Sequence, residues 1–287
     1  MTGVILLDKP AGITSFSAVN RVRRMLGVKK AGHTGTLDPM ATGVLVILTN
    51  GAARFIEFLP SHRKAYRAGF QLGITTDTLD ITGEVLSRQP VNVQYEQIAW
   101  ALEQFRDKIM QTPPMVSALK QDGVRLYTLA RQGIEVERAA REVEIFSLEL
   151  SEADGKFFLD VACSAGTYIR TLIDDLGRIL GCGAVMTSLR RTGANGFLIE
   201  ECATLEQLER GEIRIIPIED ALDFYQKVNI TGPQAARFRN GGALDLARLH
   251  IKSPTEGALY RVFCDDDFLG LSRVRGGQLA IARLLVK

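Results

Sequence analysis

The 287-residue sequence predicts an α+β chain that ends in a separate, smaller β-rich module. Three observations carry this. Short apolar runs of strand length are interspersed with amphipathic helical stretches from residue 4 to residue 211. Two β-rich segments, 143–150 and 157–163, flank Ala153-Asp154-Gly155, a hairpin signal. From about Val228 the texture changes to β-rich segments punctuated by Asp265-Asp266-Asp267 and Gly276-Gly277.

The elements follow in order. Val4-Ile5-Leu6-Leu7 is a short apolar strand, closed by the turn signal Asp8-Lys9-Pro10-Ala11-Gly12. Ser15 or Ser17 caps a helix running to about Leu26, with Val19, Val22 and Leu26 on one face. An apolar strand at 44–48 and a short helix near 52–59 come next. Residues 62–70 alternate as a strand. A polar turn at 75–83 carries Asp77 and Asp80. Residues 96–106 read as an amphipathic helix through Ile98, Leu102 and Phe105, stopped by Thr112-Pro113-Pro114. The polar excursion 119–142 contains a short helix at 126–132. After the hairpin, Ser164-Ala165-Gly166-Thr167 caps a helix whose first turn holds Tyr168 and Arg170. A strand at 184–189 leads to Arg190-Arg191, and a short helix spans 204–211. In the C-terminal module a helix at 233–239 precedes strands at 260–264, 268–275 and 279–285.

Composition narrows the function classes. With 46% hydrophobic and 24% charged residues the chain is an ordinary globular one. It has no apolar run of membrane-spanning or signal-peptide form, so a cytoplasmic protein without a membrane segment is expected. Cys163, Cys182, Cys202 and Cys264 fit neither a zinc pattern nor a disulfide framework. His33, His62 and His250 are not paired at ligand spacing, so no metal is expected. The net charge of +2 hides an asymmetry. Residues 1–67 carry ten Lys/Arg against three Asp/Glu, residues 68–229 sixteen against twenty-five, and residues 230–287 nine against five. Basic ends around an acidic middle point to a polyanion held by both ends of the chain.

Three stretches carry candidate chemistry. Gly32-His33-Thr34-Gly35-Thr36-Leu37-Asp38-Pro39-Met40-Ala41-Thr42-Gly43 has the composition of an ordered loop around a lone Asp. His62-Arg63-Lys64-Ala65-Tyr66-Arg67 mixes cations with an aromatic ring, as a nucleic-acid surface does, and fits an amphipathic edge strand equally well. Arg170 stands where a helix dipole already presents positive charge, so an anion is expected beside it, either a phosphate or a buried carboxylate.

Together these residues resemble the bacterial tRNA pseudouridine-55 synthases, the TruB-type branch of the pseudouridine synthases. The motifs are Leu7-Asp8-Lys9-Pro10, the loop 32–43, Lys64-Ala65-Tyr66, Thr76-Asp77-Thr78-Leu79-Asp80, Ser117-Ala118-Leu119-Lys120, Ala130-Arg131-Gln132-Gly133, Cys163-Ser164-Ala165-Gly166-Thr167-Tyr168-Ile169-Arg170 and Leu189-Arg190-Arg191. They cover nearly the whole chain.

The resemblance implies the pseudouridine synthase fold: a mixed, mainly antiparallel central sheet flanked by helices over residues 1–227, and a PUA-like RNA-binding domain at 228–287. It implies isomerisation of a uridine in the T-loop of tRNA, by base flipping and remaking of the glycosidic bond from C1′–N1 to C1′–C5, without cofactor. The partner implied is the T-arm stem-loop of tRNA, met by a cytoplasmic monomer with no obligate protein partner. Asp38 corresponds to the catalytic aspartate, Arg170 to its cation, expected in a bidentate contact, and Asp80 to a second carboxylate steadying that Arg. Tyr66 corresponds to the residue stacking on the flipped base, Tyr168 and Leu189 to other pocket walls, and His33 to the residue entering the vacated stack. Lys9 and Lys64, within the matching motifs, are assigned to substrate binding. Residues 119–142 correspond to a mobile thumb that clamps the T-loop.

Overall fold

The computed structural model describes residues 2–60, 62–117, 119–121, 123–251 and 253–286. Ala118 and Asp122, in the Ser117–Lys120 motif and the thumb-like segment, lie outside them.

β1 (Val4–Lys9), α1 (Ser15–Met25), β2 (Ala31–His33), β3 (Thr42–Thr49) and β4 (Lys64–Leu72) open the chain. A small ladder of β5 (Ile74–Thr76) and β6 (Val85–Arg88) leads to α2 (Tyr95–Leu102) and β7 (Asp107–Gln111). The thumb-like segment holds β8 (Lys120–Gln121), β9 (Val124–Arg125) and α3 (Leu126–Arg131). β10 (Arg141–Ala153) and β11 (Lys156–Cys163) are the predicted hairpin, with Asp154 and Gly155 both at positive φ (51° and 68°), as a two-residue turn requires. α4 (Ile169–Ile179), β12 (Ala184–Ala194), β13 (Phe197–Leu198) and α5 (Leu205–Glu209) complete this part. The last stretch holds β14 (Gln226–Asn229), α6 (Gly232–Arg239), β15 (Leu244–Asp245), β16 (Leu259–Cys264), β17 (Asp267–Arg275) and β18 (Gln278–Leu284).

Nine strands form one sheet in the order β1-β3-β12-β4-β11-β10-β7, with β2 added to β3 and β13 to β12. Its named pairings are antiparallel except that of β12 with β3. This is the mixed, mainly antiparallel sheet of the predicted α+β class. One face carries Tyr66, Ala68, Phe70, Leu159 and Met186 against Ile98 and Leu102 of α2 and Leu172, Ile173 and Leu176 of α4. β1 and β3 are buried on both faces. Val4, Leu6, Val44, Val46 and Leu48 join one cluster, and Ile5, Leu7, Leu45 and Ile47 pack on Ala18, Val19 and Val22 of α1. Two-sided burial explains why these strands read as continuous apolar runs without alternation.

Several elements differ from the sequence reading. Thr14, not Ser15 or Ser17, caps α1, its side chain accepting from the Ser17 amide at 3.0 Å. The predicted helix near 52–59 is a 3-10 helix, Asn50–Phe58, in which the buried residues Ala52, Phe55 and Phe58 recur every three positions. That period is the one at which 3-10 side chains eclipse. β12 continues through Arg190-Arg191 to Ala194 because both arginines pair with β4 while touching β3.

The C-terminal sheet, in the order β14-β16-β17-β18-β15, opens at Gln226, just ahead of the predicted boundary at 228. It covers Ala235 and Phe238 of α6 with one face. Its Phe263, Phe268 and Leu271 enter the same cluster as Val4, Val44, Phe55 and Phe58. The Phe55 and Phe268 ring centroids lie 5.8 Å apart. The module therefore shares a core with the large sheet.

The parallel seam between β3 and β12 is short: Arg190 opposite Thr42 and Arg191 opposite Gly43. Gly43 has φ +102°, and a Cβ there would stand 2.1 Å from the Arg191 carbonyl oxygen. Gly43→Ala is expected to destabilise the protein by about 3 kcal/mol or more, combining backbone strain with displacement of the seam, and a lowered urea midpoint in equilibrium unfolding would show it.

Candidate active site

The loop between β2 and β3 is held from three sides. From α1, Ser15 accepts the Leu37 amide at 2.8 Å and donates to the Leu37 carbonyl at 3.1 Å. From β1, the Lys9 ammonium donates to the carbonyls of Pro10 (2.8 Å), Ile13 (2.8 Å) and Pro39 (3.3 Å). From β12, Arg191 donates to the carbonyls of Val44 (2.7 Å), Gly35 (3.0 Å) and Thr36 (3.4 Å). Lys9 and Arg191 are both 0% exposed. The ammonium of Lys9, which its motif assigns to substrate binding, is enclosed and occupied by these carbonyls.

The loop carries Asp38 to a cavity of about 260 Å³, walled by Lys64 and Tyr66 of β4, Leu189 of β12, Ser117, and Tyr168 and Arg170 at the start of α4. Six of the nine sequence-nominated residues thus line one space: Asp38, Lys64, Tyr66, Tyr168, Arg170 and Leu189. Asp80, His33 and Lys9 are not among its walls. His33 ends β2, half-buried, with its Nδ1 enclosed and without a hydrogen-bond partner. Among the described residues, no three His, Cys, Asp or Glu side chains converge as a metal site.

Arg170 is the electrostatic hub. Its Nε lies 3.0 Å from Asp38 Oδ2 and 3.9 Å from Asp80 Oδ2. Its terminal nitrogens donate to the carbonyls of Thr78 (2.9 Å) and Val116 (2.8 Å). The expected bidentate grip on Asp38 is therefore not the geometry found: one edge of the guanidinium is taken by main-chain acceptors, which fix its plane by other means. Asp80 is nearly buried and stands behind Arg170. Its Oδ1 accepts from Thr78 Oγ1 (3.0 Å), the Thr82 amide (3.0 Å) and Thr82 Oγ1 (2.5 Å). It is not among the cavity walls.

Burial holds the Asp38 carboxyl above its ordinary value, Arg170 opposes this, and Asp80 adds to it. The Asp38 side chain is 34% exposed, so the carboxylate faces the cavity while Arg170, at 4%, is sealed behind it. Burial likewise lowers Lys9 and Lys64, each to about 8, and lowers His33, with Arg191 as a second cause. Burial raises the hydroxyls of Tyr66 and Tyr168.

The chain as a whole is similar to known proteins. The model of the TruB family pseudouridylate synthase N-terminal domain matches residues 23–169. Those of the tRNA pseudouridylate synthase B C-terminal domain and of the pseudouridine synthase II TruB C-terminus match residues 170–223 and 227–285. The tRNA pseudouridine synthase B of Azoarcus sp. (strain BH72) is 43% identical over 99% of this chain and 94% of its own. The chain belongs to the TruB family. The enzyme of the same name from Clostridium perfringens (strain SM101 / Type A) is 42% identical over 100% of both chains. A solved chain titled as a Cbf5-Nop10-Gar1 complex shares the fold with a TM-score of 0.73 at 27% identity, covering 99% of this chain and 85% of its own.

Three residues that hold the TruB-family site together escaped the sequence reading. Ser15 and Arg191 are described above. The third is Gln111, buried at the end of β7, whose amide donates to the Tyr168 carbonyl (3.0 Å) while its oxygen accepts the Tyr168 amide (2.7 Å). It ties the root of the thumb-like segment to the start of α4. The only available signal for it was a polar residue directly before a Pro-rich stop.

A carbon-NMR titration of Asp38 is expected to give a pKa above the ordinary carboxylate range. Arg170→Gln removes the principal opposing cause and is expected to raise it further; a lowered value in that variant would contradict the assigned balance.

Proposed function

We propose that this protein isomerises uridine 55 in the T-loop of tRNA to pseudouridine, with Asp38 as the reacting carboxylate. The observation that carries the reading is the cavity in which a buried Arg170 holds Asp38 facing the walls Tyr66, Tyr168 and Leu189. A binding surface for phosphates has no use for an aspartate sealed against a cation. A site that attacks or deprotonates a nucleoside does, because the carboxylate must stay ionised where water is largely excluded.

In this reading the target uridine leaves the T-loop stack, at a cost of a few kcal/mol, and enters the cavity with its base against the Tyr66 ring. Tyr168 and Leu189 close the other sides, and His33 enters the stack the base has left. The C1′–N1 bond breaks, the uracil turns, and C5 bonds to C1′; the base stays within the cavity throughout and no cofactor is consumed. Residues 119–142 act as the thumb, and Ser117 and Leu119 at its root already line the cavity. Residues 1–227 form the catalytic domain and 228–287 a PUA-like RNA-binding domain. The protein acts in the cytoplasm as a monomer, without an obligate partner protein. Among the described residues no helix is long and apolar enough to cross a membrane.

A wide cleft of about 1730 Å³ supports an extended RNA substrate. It runs between α1, the approach to β2, the 3-10 helix and the chain end at Leu285–Val286, and Arg23, Lys29, Lys30 and Arg54 line it together with Phe16, 74% exposed. These cations belong to the basic N-terminal segment, and β2 leads from the cleft to His33. The guide-RNA-dependent branch is a second reading, favoured by the fold shared with the Cbf5 chain. Against it stand the higher identities to the tRNA pseudouridine synthase B enzymes, over 94% and 100% of their lengths.

Mapping pseudouridine in a bare T-arm stem-loop tests the reading, since a guide-dependent enzyme leaves that RNA unmodified. Asp38→Asn is expected to bind the stem-loop with unchanged affinity while turnover in a tritium-release assay falls about a thousandfold or more. Lys30→Ala combined with Arg23→Ala is expected to weaken binding across RNA sequences. It should also flatten the slope of log affinity against log salt by about one unit per cation lost from a phosphate contact, read by filter binding from 50 to 200 mM salt.

A further inference from the structure

Lys64, half-buried, differs from the buried cations of the site. Lys9, Arg170 and Arg191 spend their donors on carbonyls or on Asp38. Lys64 has no ion pair or hydrogen bond among the described residues. The charged or titratable groups that act on it are Arg191 and the Cys163 thiol, which burial keeps neutral by pushing it up to about 11. Half-burying an ammonium beside a guanidinium is costly, and no anion among the described residues pairs with it.

Its place is specific. Lys64 and Tyr66 alternate onto the same face of β4, so the ammonium flanks the Tyr66 ring at the cavity wall. A Cβ on Gly35 would stand 2.9 Å from Lys64 Nζ and 3.6 Å from an Arg191 terminal nitrogen. Gly35 lies two residues after His33 and three before Asp38. The His33 imidazole feels both cations, Arg191 more strongly. Lys64 therefore stands at the neck between His33 and the Asp38 cavity. A nucleotide whose base occupies that cavity while His33 takes its former place must pass its backbone through this neck.

We infer that Lys64, seconded by Arg191 across Gly35, is the binding site for a phosphodiester flanking the flipped nucleotide. The inference rests on the proposed function for the identity of the anion and on the geometry for its position. The phosphate supplies the charge that the protein withholds, and the neck stays uncompensated until the nucleotide has left its stack. Electrostatic stabilisation then falls selectively on the extruded state. The missing side chain at Gly35 gives the ammonium its room.

The test is a double cycle. T-arm stem-loops are made with a neutral methylphosphonate in place of the phosphate on the 5′ or the 3′ side of the target uridine, one at a time. Each is compared with the natural RNA for wild type and Lys64→Met, by dissociation constant and single-turnover rate, with Lys64→Gln as a second variant. One of the two neutral linkages is expected to cost wild type about tenfold, Lys64→Met to cost about tenfold on natural RNA, and the two losses to overlap when combined. The thermal midpoint of Lys64→Met is expected to stay level or rise, because a half-buried, unpaired charge has gone. Losses that multiply for both linkages overturn the inference, and so does a variant that unfolds, since Lys64 would then be structural. Absence of pseudouridine with wild type and natural RNA strikes the proposed function instead, and the binding cycle still decides the role of Lys64.

Discussion

The site depends on a guanidinium that never meets the cavity. Arg191 is wholly enclosed at the seam of β3 and β12, and its donors go to carbonyls on both sides of the Asp38 loop. Leu37 and Ala41 root the Asp38 loop in the core, but its glycines and threonines add little apolar surface. It is fixed by having its carbonyl oxygens claimed from Arg191, Lys9 and Ser15 at once. Each of those contacts is charge-assisted or buried, the classes of hydrogen bond that contribute most and are most damaging to lose. Asp38 is precise in position because its neighbours in the chain are immobilised.

Bracing a loop with cations has an electrostatic side effect. Lys9, Lys64, Arg170 and Arg191 crowd round a region whose nearby carboxylates are Asp38 and Asp80. Burial, with Arg191 as the second cause, depresses the basicity of Lys64 and of His33, while Asp38 is pulled upward by burial and downward by Arg170. The same charges that hold the scaffold prepare the site for an anionic chain. Asp80 keeps the balance from tipping too far: it faces Arg170 from behind and is itself satisfied by Thr78 and Thr82.

Legibility in the sequence followed the range of the interaction. Local chemistry was readable: the Asp154-Gly155 turn, the two apolar strands, and an arginine placed at a helix start where it called for an anion. The mixed sheet and the gathering of Asp38, Tyr66 and Arg170 were implied by motif resemblance, since their contacts span long stretches of chain. What could not be read is burial of charge. Lys9 looks like a surface cation beside a turn, and Arg191 looks like the polar end of a strand; only the folded sheet shows that both are internal. Gln111 meets Tyr168 across 57 positions, and no pattern local to either predicts the pair. Ala31-Gly32-His33 forms a strand without propensity or periodicity, because the exposed edge of β3 supplies the template.

The C-terminal sheet has a consequence for how the molecule can be taken apart. Phe263, Phe268 and Leu271 fill the space between Phe55, Phe58 and the outer strands β1 and β3. Cutting the chain before Gln226 would strip one face from the very strands that carry Lys9 and deliver the Asp38 loop. The tail is thus a plug as much as an appendage: it could not be exchanged between relatives, or grafted onto another enzyme, without redesigning the wall it seals. Selection acting on the outer surface of that sheet is constrained from beneath by the packing of its other face.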